Sequence, residues 1–430
     1  MSVTISLLCV FSPAAAFSPV GAHHVRSNGP ISVGPHMQGP DAGFRSASAA
    51  ALAALLLLSP MQMPLVPLWL NTAVQAKELA SGSGSRVNKD PRSLLRLGLP
   101  AQPKELRDVQ ASLEESEDNL NRLLYSNSKS ALAQAGKAFK SSIPAIMKAV
   151  PATEAERATT LIATVSKDIQ AALEAIAAGN GAAANAAQSD SLRQLSALEE
   201  LIAAGYAQPT PPKEYAGLPY LRGRAEVEFV IKRPGEKFDV EGKLYDTVQL
   251  TTVIDGYTAP LTSGNFVDLV QRGFYNGMRI QRSDGFVVQT GDPSKEGSDE
   301  KAPNGYVPAG QTAVRKIPLE VFVKGDKQPM YGSTFDDDGR GGYASKLPFN
   351  AYGALGMARE EYDPDSASTQ WFWLLFDSDL TPAGKNLLDG RYACFGYTVE
   401  GAKFLADVKE GDVITSAKVI SGLDRLVTPQ

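Results

Sequence analysis

Arg282, Phe286 and Gln289 lie close together in the stretch "IQRSDGFVVQTGDP", residues 280–293. Strand-forming residues flank the turn-forming "SDG", so the stretch predicts two short strands joined by a tight turn. An arginine stays charged at every physiological pH, a phenylalanine offers an apolar surface, and a glutamine can both donate and accept hydrogen bonds. These three residues could therefore place a fixed positive charge beside an apolar surface.

The positions of histidine and cysteine exclude several kinds of chemistry. All three histidines and Cys9 lie within the first 36 residues, so Cys394 is the one cysteine beyond them. Without that segment the chain can form no internal disulfide, no Cys/His zinc site and no Ser-His or Cys-His nucleophilic pair. The net charge of −5 also argues against a nucleic-acid partner. We therefore expect no metal, no cofactor and no nucleic acid, and an inert Cys394 in the core.

The first 76 residues have the pattern of a targeting presequence. A short apolar run ends in the small-residue stretch "SPAAAF", which predicts a secretory signal peptide. Residues 17–46 contain a single acid, as transit peptides do, and a second apolar stretch over 49–74 ends in small residues. Three such signals in series resemble the presequence of a chloroplast thylakoid-lumen protein from an alga with a complex plastid. The alternative is that residues 49–74 form a retained membrane anchor.

Residues 77–207 predict a helical domain. The segment is rich in Ala, Leu, Glu, Gln and Ser, and its apolar residues recur with helical spacing. Leu106, Leu113 and Leu120 repeat every seven residues, which favours a buried stripe inside the segment's own bundle over a zipper for a partner helix. The predicted helices span about 102–127, 129–149, 154–178 and 189–204.

A change in composition separates this segment from the rest of the chain. The proline-rich "QPTPPKEYAGLP" (208–219) predicts a stiff linker that cannot continue a helix. Beyond it, residues 220–430 contain many short strand-like runs, and only 261–273 and 402–409 have helical patterns. Many short strands with few helices predict a β-barrel or a sandwich.

Four linked motifs in this second half resemble the cyclophilins. They are "APLTSGNFVDLVQRGFYNGMRIQRSDGFVVQTGD", "GALGMAR", "STQWFWLL" and "LLDGRYACFGYTVEG", and the resemblance covers residues 216–430. Cyclophilins are peptidyl-prolyl cis-trans isomerases built on an eight-stranded barrel capped by two helices. The resemblance implies an α+β protein, with a helical bundle followed by a closed eight-stranded antiparallel β-barrel. The helical domain and the presequence are similar to those of thylakoid-lumen members of the family.

The reaction of this family needs none of the excluded groups. Rotation about an X–Pro bond breaks no covalent bond, and its barrier of about 20 kcal/mol is the resonance of the amide itself. A catalyst needs an apolar pocket for the proline ring and a donor that favours the twisted amide. The resemblance implies that Arg282 is that catalytic donor.

The resemblance also implies a set of substrate-binding residues and several departures from the family's pattern. Leu387 stands where many members have tryptophan, and the turn between Arg282 and Phe286 is one residue shorter than usual. Arg359, Tyr392 and Val287 replace the family's usual asparagine, histidine and methionine. Gln289 would brace Arg282, although Arg282 could instead be a surface residue paired with Asp284 or Asp292. The implied substrate-binding residues are Phe286, Val287, Gln289, Ala358, Arg359, Gln370, Phe372, Leu388 and Tyr392.

The implied function is that of a lumenal isomerase that binds proline-containing protein segments. Its partners would be lumenal loops of photosystem II subunits, whose assembly or maintenance it would assist, and it would be peripheral to the membrane at most. The departures leave open a non-catalytic chaperone or regulatory scaffold whose helical domain masks the pocket through an intramolecular contact. A weaker third interpretation is a phosphatase regulator that acts through the Leu-repeat helix.

Overall fold

The structure is a computed structural model that describes residues 87–295, 303–376 and 386–429. The predicted presequence, and with it the alternative membrane anchor over 49–74, lies outside these residues. Along the part of the chain that the structure describes, no helix combines the length and apolar character needed to cross a bilayer.

Between residue 87 and the proline-rich segment there are five α-helices, and four of them form a bundle. α2 and α3 are joined by a turn at Leu123, whose φ of 59° ends α2 earlier than predicted. α5 starts earlier than the predicted 189, because the side chain of Asn180 caps it by accepting a hydrogen bond from the Ala183 N–H at 3.1 Å. α1 was missed, although Asp90 and Pro91 form a clear start signal. The helices are α1 (Pro91–Gly98), α2 (Lys104–Asn121), α3 (Tyr125–Ala149), α4 (Ala155–Ala177) and α5 (Gly181–Ala204).

The Leu repeat lies inside this bundle. Leu106, Leu113 and Leu120 are at most 1% exposed, and Leu106 and Leu113 pack with Phe139 and Val165 of the neighbouring helices. The prediction of a stripe buried in the segment's own core is confirmed. The repeat is therefore not available to a partner helix, which removes the basis of the phosphatase-regulator interpretation.

In the second half of the chain, the described residues form an eight-stranded antiparallel sheet and one α-helix, α6 (Pro260–Gln271). These residues also form three two-stranded ladders outside the sheet. The predicted helix at 402–409 is instead a short 3-10 helix over Ala402–Asp407. We number the strands of the main sheet β1 (Arg224–Lys232), β2 (Thr247–Asp255), β3 (Arg282–Ser283), β4 (Val287–Thr290), β5 (Ala354–Met357), β6 (Trp371–Leu374), β7 (Cys394–Glu400) and β8 (Val413–Ser421). Their order across the sheet is β8-β1-β2-β7-β5-β6-β4-β3.

The prediction of a closed barrel goes further than the structure, which shows an eight-stranded sheet with two edge strands. β8 and β3 stand at its two edges, and an isolated bridge joins Arg279, just before β3, to Val413. β3 is only two residues long because the chain turns at once through Asp284 and Gly285, so it cannot form a full ladder with β8. The coarser prediction, a helical segment followed by a domain with eight antiparallel strands, is confirmed.

The two faces of the sheet support two different apolar clusters. The larger cluster is built around Trp371, Trp373, Phe229 and Phe266, whose rings pack within 4.3–6.3 Å of one another. The other face carries a smaller cluster, which we call the outer cluster. It is built around Phe372 and includes residues of α1. Because side chains alternate along a strand, Trp371 and Phe372 point to opposite faces.

The helical segment packs directly on the sheet. The guanidinium of Arg224, on β1, donates to the backbone oxygen of Leu95 in α1 at 2.6 Å and to the carboxylate of Glu200 in α5 at 2.5 Å. The same side chain donates to Asp255 at the end of β2 at 2.7 Å. The predicted linker is also held, because the Gln208 side chain donates to the backbone oxygen of Gly256 at 2.5 Å.

Candidate functional site

The sheet register brings four residues from three of the motifs into one row. Gly356 pairs with Phe372, Phe372 pairs with Gln289, and Gln289 pairs with Arg282. Residues directly opposite each other on neighbouring strands point to the same face, with Cβ atoms about 5 Å apart. The apolar Phe372 and the cationic Arg282 therefore lie two strands apart on the outer face, which is about 10 Å.

Phe372 lies at the centre of the outer cluster and is 6% exposed. A Cβ atom at Gly356 would lie 2.2 Å from the tip of the Phe372 ring, so the ring can lie over β5 only because this residue is glycine. Phe349 stacks on the ring at 6.1 Å, and Tyr392 meets it edge-on at 6.1 Å. The same outer cluster contains four of the predicted substrate-binding residues, Val287, Ala358, Phe372 and Leu388, and Tyr392 packs against it.

Phe286 differs from these residues because its ring is exposed. The residue is 53% exposed and stacks on Phe376, with ring centroids 5.6 Å apart and planes 15° apart. Its backbone oxygen accepts the N–H of Leu375 at 2.7 Å, which fixes the position of the backbone beside β6. Phe286 therefore offers an accessible aromatic surface and lies outside the outer cluster.

Arg282 is held by an acid in the adjacent turn. Its Nε donates to Oδ2 of Asp284 at 2.7 Å, and Nη2 contacts the same oxygen. The other oxygen, Oδ1, accepts the backbone N–H groups of Phe286 at 3.0 Å and Val287 at 3.1 Å. Burial alone would raise the pKa of Asp284, but these two N–H groups and Arg282 outweigh it and hold the pKa below its ordinary value. The acid is therefore a charged partner of Arg282.

Gln289 does not brace Arg282 as the resemblance implied. Its amide Nε2 donates to Oε1 of Gln370 at 3.1 Å. Gln370 precedes Phe372 by two residues, so it is a diagonal neighbour of Gln289 on the same face. Arg282 pairs with Asp284 instead, so the alternative pairing of Arg282 with Asp284 is confirmed.

Arg359, an implied substrate-binding residue, makes contacts that hold the chain itself. Its Nε donates to the backbone oxygen of Arg391 at 2.9 Å, and its Nη1 donates to those of Glu360 and Glu361 at 2.8 and 2.9 Å. The guanidinium carbon lies 5.0 Å from the centre of the Tyr392 ring. Arg359 therefore fixes Tyr392 beside Phe372 through a cation–π contact.

Ala358 and Gln370 border a shallow depression next to the row. The Ala358 N–H donates to the backbone oxygen of Gln370 at 3.0 Å, which extends the pairing of β5 with β6. Ser366, Ser368 and Asn304 also line the depression, so its wall is polar where the outer cluster is apolar. This arrangement could accept the backbone of an extended peptide beside the outer cluster.

Sequence reasoning missed several residues that shape the site. A glycine inside a strand often marks a close approach, so Gly356 in "GALGMAR" carried a usable signal. Asp284 was considered only as a partner of a surface arginine. The packing of Phe349 and Phe376 on the two pocket phenylalanines depends on long-range contacts, for which the sequence carries no local signal.

The family "Cyclophilin type peptidyl-prolyl cis-trans isomerase/CLD" matches residues 240–425. The family "Peptidyl-prolyl cis-trans isomerase CYP38-like, PsbQ-like domain" matches residues 90–203.

Three relatives match over most of their length. The chain is 40% identical to the chloroplastic peptidyl-prolyl cis-trans isomerase CYP38 of Arabidopsis thaliana, over 79% of this chain and 76% of that protein. It is 38% identical to a putative thylakoid lumen peptidyl-prolyl cis-trans isomerase of Synechocystis sp., over 88% and 94%. It is 30% identical to the chloroplastic CYP37 of Arabidopsis thaliana, over 88% and 80%. These relatives confirm the predicted chloroplast thylakoid-lumen location. The chain belongs to the cyclophilin-type peptidyl-prolyl cis-trans isomerases, and within them resembles the CYP38-like proteins with a helical PsbQ-like domain.

Proposed function

We propose that the chain catalyses cis-trans isomerisation of X–Pro bonds on the outer face of its sheet. The observation that carries the proposal is the row from Gly356 through Phe372 and Gln289 to Arg282. The proline ring would rest on the apolar floor formed by Phe372, and the reacting amide would face Arg282.

Arg282 would act as an electrostatic catalyst. As the amide twists out of its plane, the nitrogen regains its lone pair and accepts a hydrogen bond more readily than in either planar form. A guanidinium has five N–H donors, and the contact with Asp284 uses the Nε edge, so the N–H groups on Nη1 stay outside the pair. These donors can stabilise the twisted amide without taking or giving a proton.

The proposed clients are proline-containing segments in the thylakoid lumen. We propose lumenal loops of photosystem II subunits, whose assembly or maintenance the protein would assist. The shared location of the relatives and the resemblance to thylakoid-lumen cyclophilins support this choice.

A non-catalytic chaperone or scaffold is the second candidate, and the burial of Phe372, which is 6% exposed, favours it. The masking form of this candidate has less support. The helical segment contacts the sheet through Arg224 on β1 and through Arg92, which donates to the backbone oxygen of Val399 on β7 at 3.4 Å. Phe286 is meanwhile 53% exposed.

Isomerisation of a proline tetrapeptide, measured with the chain from Lys77 onward, tests the proposal. We expect turnover by the native chain and a loss of about 100-fold in Arg282→Ala, the usual cost of removing one transition-state donor. Arg222→Ala is the matched control, because Arg222 is exposed and contacts Tyr220 away from the row. Equal turnover in native and Arg282→Ala chains would refute catalysis by Arg282. Peptide binding without turnover would establish the chaperone.

A further inference from the structure

The turn between β3 and β4 contains an acid that fixes the orientation of Arg282. Both oxygens of Asp284 are used: Oδ1 accepts the N–H groups of Phe286 and Val287, and Oδ2 accepts Nε of Arg282 at 2.7 Å. The two backbone contacts anchor the carboxylate to the turn. The guanidinium is therefore bound to a group that cannot rotate freely.

No other carboxylate or amide side chain in the described residues shares this task. The amide of Gln289, which faces Arg282 in the register, donates to Gln370 instead. The ion pair of Arg282 is with Asp284. An arginine side chain has many rotamers. Unless a partner fixes its orientation, side-chain conformational entropy is lost each time a substrate binds.

We propose that Asp284 is the positioning residue of Arg282: it holds the guanidinium by its Nε edge so that the Nη1 donors are presented to the twisted amide. This inference rests on the isomerase function proposed above. It assigns to an acid of the shortened turn the bracing task that the resemblance placed on Gln289.

The carboxylate could also act in the opposite direction, by reducing the positive potential of Arg282. The side chains of Arg282 and Asp284 are 30% and 35% exposed, so water screens their mutual interaction strongly. Hydrogen-bond geometry is not screened in this way, because it depends on contact at 2.7 Å. Orientation therefore outweighs the loss of potential, and removing the carboxylate should lower turnover.

Asp284→Asn separates the two tasks of the acid. The asparagine Oδ1 can still accept the N–H groups of Phe286 and Val287, which preserves the turn. Its NH₂ group is a donor and cannot accept a hydrogen bond from Arg282. Asp292→Asn is the matched control, because Asp292 accepts hydrogen bonds from Ser294 at the far end of β4.

We expect Asp284→Asn to lower kcat for the tetrapeptide about tenfold, since a misplaced reacting group can cost up to about 100-fold. KM should be unchanged, because the Phe372 floor is intact. Urea unfolding should match the native chain, and Asp292→Asn should behave as native. A lower kcat with an unchanged KM, together with native stability, distinguishes a positioning role from a structural one.

A second measurement follows Arg282 directly and needs no turnover. In the native chain, the Nε–H nuclear magnetic resonance signal of Arg282 should be protected from solvent exchange, and Asp284→Asn should abolish the protection. Unchanged protection, or a rise in turnover in Asp284→Asn, would overturn the inference. If Arg282→Ala turns over as fast as the native chain, the proposed function fails, while the Nε–H signal still decides whether Asp284 positions Arg282.

Discussion

We predict that replacing Arg224 weakens the contact between the helical segment and the sheet more than replacing any other residue. Its side chain is 8% exposed, and Asp255, its partner on β2, is fully buried. Burial alone would lower the pKa of Arg224, but Asp255 and Glu200 outweigh it and raise the pKa. In Arg224→Met the apolar stem is retained, while the contacts to Asp255, Glu200 and the Leu95 backbone oxygen are lost.

The expected cost comes mainly from Asp255. Breaking a buried ion pair by removing one partner costs about 3–5 kcal/mol, because the remaining charge is buried without compensation. Asp255 keeps one contact, from the Thr258 N–H at 2.8 Å, which offsets part of the loss. The pair with Glu200 adds less, because that side chain is 28% exposed. We therefore expect the free energy of unfolding to fall by about 3 kcal/mol.

Urea unfolding measured with two probes tests this prediction. Beyond the predicted presequence the tryptophans are Trp371 and Trp373, both buried in the sheet, so tryptophan fluorescence follows the sheet. Far-ultraviolet circular dichroism follows the helices. In Arg224→Met the helical signal should be lost at lower urea than the fluorescence signal, because the buried contacts of Arg224 no longer join the two halves.

Two controls make the outcome decisive. Arg222→Met changes an exposed arginine two positions away and should leave unfolding unchanged. Arg224→Met with Asp255→Asn should recover part of the loss, because residue 255 then carries no buried, unpaired charge. A loss below about 1 kcal/mol in Arg224→Met, with both signals still coincident, would refute the reasoning.

Two further predictions concern Gly356 in the candidate site and Glu199 in α5. Gly356→Ala places a Cβ 2.2 Å from the Phe372 ring; displacement of the ring should cost about 1–3 kcal/mol in urea unfolding and weaken proline-peptide binding measured by titration. Glu199 is fully buried with both carboxylate oxygens lacking a hydrogen bond, and burial raises its pKa to about 8, although Arg107 opposes the shift. Because this pKa is raised on folding, the contribution of Glu199 to stability is full below about pH 4.5 and is lost as the pH rises to about 8. Glu199→Gln should therefore be more stable than the native chain at pH 9, by about 1–3 kcal/mol, with no gain near pH 4.5 in urea titrations.

The bundle was the more predictable half of the fold, because its signals are local. The stripe of Leu106 and Leu113 shows helical spacing within a few turns, and burial followed as expected. The start of α5 was missed because residues 181–187 are small and carry no apolar periodicity. The prediction of a closed barrel was too specific. Closure depends on the pairing of the two-residue β3 with β8, which is far away in the sequence.

The sequence analysis named residues of the candidate site but did not predict the contacts between them. The resemblance to the cyclophilins implied that Phe372, Gln289 and Arg282 lie together, and the register of the antiparallel strands aligns them in the structure. The partner of Arg282 was not predicted, because it depends on the geometry of the turn that follows β3. In the structure Asp284 contacts the guanidinium, and Gln289 donates to Gln370.

The helical segment and the proposed pocket share one apolar cluster, and this sharing bears on how the two halves could communicate. Leu94 and Leu95 of α1 are 5–6% exposed and belong to the outer cluster with Phe372 and Leu388. α1 reaches this cluster beside β7, where Arg92 contacts Val399. A core packed at native density transmits small displacements because it has few voids to absorb them. The helices can therefore support the floor of the pocket from its flank while Phe286 stays open to a peptide, which accounts for a direct helix–sheet contact without requiring the pocket to be covered.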